Sequence, residues 1–173
     1  MRQYIKTTDK QKRKFDIILW SISLFAIILF IGVGILFSKT FINIWYLVIV
    51  GFLFGLILSL ITYKKIKDYS SQKLKNYITF CVLVFGMLLN YLLLWINYNF
   101  PRHENKTYDS RIIEYAMSNR RNSSVLTIEF EGIVKDIHMP IEDYKLLKEK
   151  GFVTITVDKG LLGCYIILEK KIE

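Results

Sequence analysis

His103, His138, Cys81 and Cys164 are the only imidazoles and thiols in the sequence, so a metal or nucleophile site would have to be built around them. Neither histidine has a Cys, His, Asp or Glu partner at the spacing of a zinc signature. His138 and Asp136 lie two apart on a strand-like run and read as a solvent-facing pair. Cys81 sits in an apolar run and Cys164 near the C-terminus, on opposite sides of the membrane in the topology derived below, which leaves a bridge between them sterically implausible. Cys164 reads as a small buried apolar side chain, with a reactive thiol as the alternative. Nucleophile-elbow, P-loop and dinucleotide-binding patterns do not occur. Gly160-Leu161-Leu162-Gly163 lacks the lysine and following helix of a phosphate loop and reads as a tight strand connection. The expectation is therefore a non-enzymatic chain with no metal and no cofactor.

Two features inside the apolar runs remain. Gly51-Phe52-Leu53-Phe54-Gly55, extended by Ser59, places small residues four apart, which makes a flat stripe on one helix face and lets another backbone come close. Packing onto the first span is the simplest expectation, and self-association into a homo-oligomer is the alternative. Asn90 is the deepest polar group of its run, and its amide needs a partner on a neighbouring helix.

Three runs position these residues. Residues 17–38, 40–63 and 76–101 contain no Asp, Glu, Lys, Arg or His. Each exceeds the roughly 18–20 apolar residues that cross about 30 Å of hydrocarbon as a helix. Spans are expected over 17–37, 41–63 and 77–99. The first is too long for a cleaved signal peptide and lacks a small-x-small exit, and it is read as retained. Trp45, Tyr46, Trp95, Tyr98 and Phe100 mark one interface, and Tyr63 and Tyr77 fit the other. The connection at 38–43 is so short that it can only turn a tight helical hairpin, which makes the first two spans neighbours.

Charge orients the runs. The net charge is +9, yet residues 101–173 carry twelve basic and twelve acidic groups and are neutral. The excess sits in residues 1–16, with six basic and two acidic side chains, and in the 64–75 connection, where Lys64, Lys65, Lys67, Lys73 and Lys75 face Asp68 alone. By the positive-inside rule both lie in the cytoplasm, and three crossings put the C-terminal part outside. A neutral outer part argues against nucleic acid as a partner, whereas the membrane-flanking lysines suit anionic lipid.

Beyond Pro101, a helix stop, a polar linker over 102–108 gives way to period-two patterning. Leu126, Ile128 and Phe130 alternate with polar residues, Glu131-Gly132 offers a turn, and 133–139 continues as a second strand. Residues 111–117 suit a strand or a helical turn. Residues 140–150 read as a short helix ending at Gly151. Val153, Ile155 and Val157 form a further strand, Asp158-Lys159-Gly160 turns the chain, and 163–168 closes it. The fold class expected is thus a membrane α-helical part of three transmembrane helices plus a small C-terminal β-rich (α+β) domain over 109–173, a meander or half-open barrel. The closing segment 157–167 is similar to the last strands of bacterial inner-membrane proteins that carry a small β-domain after a few spans, and that likeness brings no activity with it.

Two functions follow as expectations. One is an inner-membrane protein that presents its extracytoplasmic β-domain to a protein partner or envelope component. The other is an oligomeric channel or membrane-perturbing effector assembled through Gly51, Gly55, Ser59 and Asn90. Asn105-Lys106-Thr107 and Asn122-Ser123-Ser124 match glycosylation acceptors, but the Ile/Lys/Asn-rich composition is bacterial in character and the pattern would go unread.

Overall fold

The computed structural model of the chain describes residues 9–69, 73–118, 123–140 and 151–171. Three helices are long and apolar enough to cross a membrane, over Gln11–Ser38, Ile44–Ile66 and Leu74–Asn99. A β-domain follows them. The first helix, α1, runs Asp9–Ser38 and the second, α2, Ile44–Ile66. The third is composite, with α3 at Leu74–Cys81, one π-turn at Val82–Gly86 and α4 at Met87–Asn99. Such a π-turn widens one turn of the ladder, often where a helix must adapt to a close neighbour.

Two compact units emerge. One comprises residues 1–34 and 44–92, and the other residues 35–43 and 93–173. In the first unit, α2 packs along the third span. Within the second, six strands form one antiparallel, nearly closed barrel-like sheet in the order β1-β6-β5-β2-β3-β4. They are β1 Thr40–Phe41, β2 Lys106–Ser118, β3 Ser123–Phe130, β4 Ile133–Pro140, β5 Phe152–Lys159 and β6 Tyr165–Lys171. The long strand β2 serves both halves of the sheet. Its Lys106–Arg111 part pairs with β5 and the part from Ile112 with β3, across a bulge between Ile112 and Glu114. A bulge at that point bends the strand and helps the sheet curl.

The period-two pattern holds where it was read. Leu126, Ile128 and Phe130 on β3, Val153, Ile155 and Val157 on β5, and Ile137 and Met139 on β4 are all buried in one core. Phe130 is its centre, with ring centroids 4.6 Å from Phe41, 5.1 Å from Tyr108 and 5.2 Å from Tyr165. The Glu131-Gly132 turn forms with positive φ at both residues, 47° and 75°, which matches the twist of the strands it joins.

Three details differ from the sequence reading. The 38–43 connection does more than turn the chain, because Thr40 and Phe41 add a strand to the β-sheet, paired with Ile166 and Tyr165. Residues 111–117 are strand, and strand begins at Lys106, inside the stretch read as linker. The turn expected at 158–160 lies further on, since β5 continues to Lys159 and the chain reverses over Gly160–Cys164. Asp158 is kept in the strand by a task of its own, described below. Of the helix expected over 140–150, Pro140 is the last residue of β4 and residues 141–150 fall outside the described residues.

Candidate functional site

The small-residue stripe meets the third span and not the first. Gly51, Gly55 and Ser59 are all buried in α2. A Cβ on Gly55 would stand 2.5 Å from the Val82 Cα, and one on Gly86 would stand 2.6 Å from the Gly51 carbonyl oxygen, both distances no real Cβ shows. Gly51 and Gly86 therefore face each other backbone to backbone. Asn90 adds a side-chain bond between the two helices, its Nδ2 donating to the Leu47 carbonyl at 3.0 Å, while its Oδ1 is buried without a hydrogen-bond partner among the described residues. One turn from the far end, Thr62 and Tyr77 hydroxyls lie 2.9 Å apart. The stripe is thus consumed inside the chain.

The five lysines on which the expected orientation rests bracket one connection. Lys64 and Lys65 are in the last turn of α2, Lys67 follows it, Lys73 is the N-cap of α3 and Lys75 lies in its first turn.

A second constellation sits in the β-domain unit, and the sequence reading missed it. Lys135 occupies an inward position of β4, between Ile133 and Ile137, and is only 7% exposed. Its Nζ donates to the carbonyls of Phe37 and Thr40. It also stands over the rings of Phe37, at 4.8 Å, and Phe41, at 5.5 Å. Phe37 belongs to the last turn of α1, where carbonyls lack intrahelical donors and the helix dipole is negative, so an ammonium is favoured there. Burial first, and the Lys170 charge second, pull the Lys135 amine down to about 8. Thr40 is in β1 and Lys135 in β4, the two edge strands of the sheet. Lys170 of β6 makes a parallel crossing, donating to the His138 carbonyl of β4 at 3.3 Å. Among the described residues no backbone ladder joins β1 to β4; the Lys135 side chain bridges the seam between these two edge strands and Lys170 bridges β6 to β4. An inward-pointing charge at an edge also discourages pairing with a foreign strand.

Two further clamps hold the domain, one to the end of the third span and one to the segment that leaves it. Asn97, 1% exposed, donates from Nδ2 to the Cys164 carbonyl at 3.1 Å and accepts the Leu162 N–H on Oδ1 at 3.1 Å. Gly160 lies so close to Asn97 that a Cβ would be 2.4 Å from its carbonyl oxygen, which explains the first glycine of Gly160-Leu161-Leu162-Gly163. Asp158, buried in β5, accepts the N–H groups of His103 at 3.1 Å and Glu104 at 3.0 Å. His103 there adopts a positive φ of 60°.

The remaining sequence candidates are not drawn together. His138 and Asp136 are exposed, and Asp136 accepts a hydrogen bond from Thr127 at 2.7 Å. Both cysteines are free thiols, and burial pushes the Cys164 thiol above its ordinary range, which keeps it protonated and weakly nucleophilic. Among the described residues no three His, Cys, Asp or Glu side chains gather as a metal set. No protein-family model matches the chain, and neither does any curated protein or solved structure.

One signal could have revealed Lys135. In Ile133-Val134-Lys135-Asp136-Ile137-His138-Met139 the apolar face of the strand carries a lysine. A charge at such a register position has to find acceptors inside. Asn97 had no comparable signal, since its partners lie more than sixty residues away.

Proposed function

We propose that this chain is a non-enzymatic integral membrane protein of a bacterial inner membrane, with its N-terminus in the cytoplasm and its β-domain on the outer face, where the domain binds a protein partner or an envelope component. The observation that carries this reading is how the domain is attached. Its sheet takes β1 from the connection between two spans, its Lys135 caps the Phe37 carbonyl in the last turn of α1, and its β5–β6 turn is held by Asn97 of the third span. A module meant only to hang from an anchor needs a tether and nothing more. Three attachments to helix ends suit a surface that is presented at a set height above the bilayer. The lysine distribution supports the orientation. On the outside of the sheet, Ile113 and Phe152 are more than half exposed, with Arg111 opposite Phe152 in the ladder. Apolar groups rimmed by charge are what a protein-binding patch requires.

The channel reading is weaker, because the stripe that would assemble protomers is filled by Gly86 and Val82 of the same chain. A periplasm-active reporter after Glu173 together with a photo-crosslinking residue at Ile113 or Phe152 tests the proposal. An active reporter and a discrete adduct from these positions, absent when the crosslinker is at Ile49 in α2, is the expected result. Adducts between identical chains from Ile49 alone would favour the channel, and a reporter active only in the cytoplasm would overturn the orientation.

A further inference from the structure

The first span is packed quite unlike the other two. Leu29 is the one buried residue of α1 among the described residues, and Trp20 is 67% exposed. Between α1 and the start of the third span runs a groove of about 370 Å³, walled by Trp20 and Ser23 on one side and Tyr77 and Phe80 on the other. A second cavity of about 260 Å³ continues it, sharing Ser23, Phe80 and Leu83 and reaching Phe30 and Met87. Its walls make few polar demands: Ser23 donates to the Leu19 carbonyl and Thr79 to the Lys75 carbonyl, each within its own helix.

The groove has a definite length. From Leu19 to Phe30 along α1, at 1.5 Å per residue, it covers about 16 Å, roughly half the hydrocarbon thickness. It ends where the helices close on each other: a Cβ on Gly32 would come within 2.8 Å of the Tyr91 ring, and Leu29 is buried just before. A partner helix would need an open face across the whole bilayer, whereas an acyl chain needs one leaflet.

Charge marks the open end. Lys12 lies eleven residues, three helical turns, before Ser23, which puts it on the same face of α1. Lys73 lies seven residues, two turns, before Phe80, in phase with the opposite wall, and it holds the N-cap of α3 without a side-chain capping bond. Asp16 shares the face with Lys12, so two lysines meet one carboxylate there, with Arg13, Lys14 and Lys75 close along the chain. We propose that this groove is a binding site for an anionic phospholipid of the leaflet nearest the N-terminus, its acyl chain lying between Trp20 and Phe80 and its phosphate between Lys12 and Lys73. The site does not depend on which compartment that leaflet faces.

Trp20 reports on the site directly. In the full chain with Trp45→Phe and Trp95→Phe it is the only tryptophan. This protein is placed in bilayers containing brominated phosphatidylglycerol or brominated phosphatidylcholine, and quenching of Trp20 gives relative association constants. A preference of about fivefold for phosphatidylglycerol is expected, the worth of about one basic side chain near the headgroup. Lys12→Gln with Lys73→Gln should bring the ratio to about one by the same reckoning. Ser23→Phe, which fills the groove, should lower phosphatidylglycerol association, whereas Leu24→Phe, on an exposed position outside it, should not. Equal association of the two lipids overturns the proposal, as does a preference that survives Ser23→Phe. Trp20 shielded from both lipids in a particle heavier than one chain would mean that a protein helix fills the groove, and would overturn it too.

Discussion

Each of the two units is held together internally, and by opposite means. Where α2 meets the third span, contact depends on the absence of side chains, with Gly51 facing Gly86 and Gly55 facing Val82. Around the sheet, contact depends on large side chains, and the seam even admits a lysine. In hydrocarbon, association gains nothing from hiding apolar groups, so only close backbone approach and dispersion distinguish a packed helix from a lipid-facing one. In water, burying Phe41, Phe130 and the β-branched rows of β5 supplies the driving force, and enough of it remains to enclose an ammonium with acceptors around it.

The sharpest way to break the comparison is to remove Phe41, a 2% exposed core residue supplied by the connection between two membrane helices. Phe41→Ala should cost the β-domain about 3–5 kcal/mol. It should also leave Asn90 and the glycine contacts intact, so that a thermal melt in detergent shows an early loss of β-signal with the helical signal retained. For the same reason residues 101–173 expressed alone should fail to give a cooperative melt. Loss of the helical signal at the same temperature would show the two units to be one cooperative body.

Next in size, Gly55→Leu and Gly86→Leu should each cost roughly 1–3 kcal/mol or more through overpacking, because what stands in the way is backbone. Gly34→Leu should be almost silent, since nothing lies within 4 Å of a Cβ there. Gly86, which the sequence alone offers as an unremarkable glycine, thus belongs with the stripe. Melting temperatures of the three variants decide it, and a silent Gly55→Leu would place the stripe against lipid.

The smallest effect concerns pH. Lys135 has a folded pKa of about 8, below the 10.5 of an ordinary lysine, so between these values the unfolded chain holds more protons than the folded one. Stability contributed at this site must therefore rise as pH climbs from 8 to 10.5, by up to about 3 kcal/mol, and be flat below 8. Lys135→Met should lack that rise. Comparing the two proteins by thermal melting at pH 7 and pH 10 isolates it from the other titrating groups, and identical pH profiles would mean that Lys135 is solvated and the seam open.

Local pattern made much of this legible. Uncharged runs of more than twenty residues mark spans because no short-range alternative hides that much apolar surface, and alternation at 126–130 and 153–157 marks strands because side chains point to opposite faces every second residue. The stripe at Gly51, Gly55 and Ser59 was visible for the same reason, since spacing along one helix is a local property. Periodicity says which face is covered but not by what. That the stripe meets Gly86 and not the first span, that Thr40 and Phe41 are strand, that Lys135 reaches the end of α1 across almost a hundred residues and that Asn97 holds Cys164 were decided by tertiary structure alone. Each joins segments far apart in the chain, and each is stable only when the whole sheet or helix pair is already in place to repay the entropy of bringing them together.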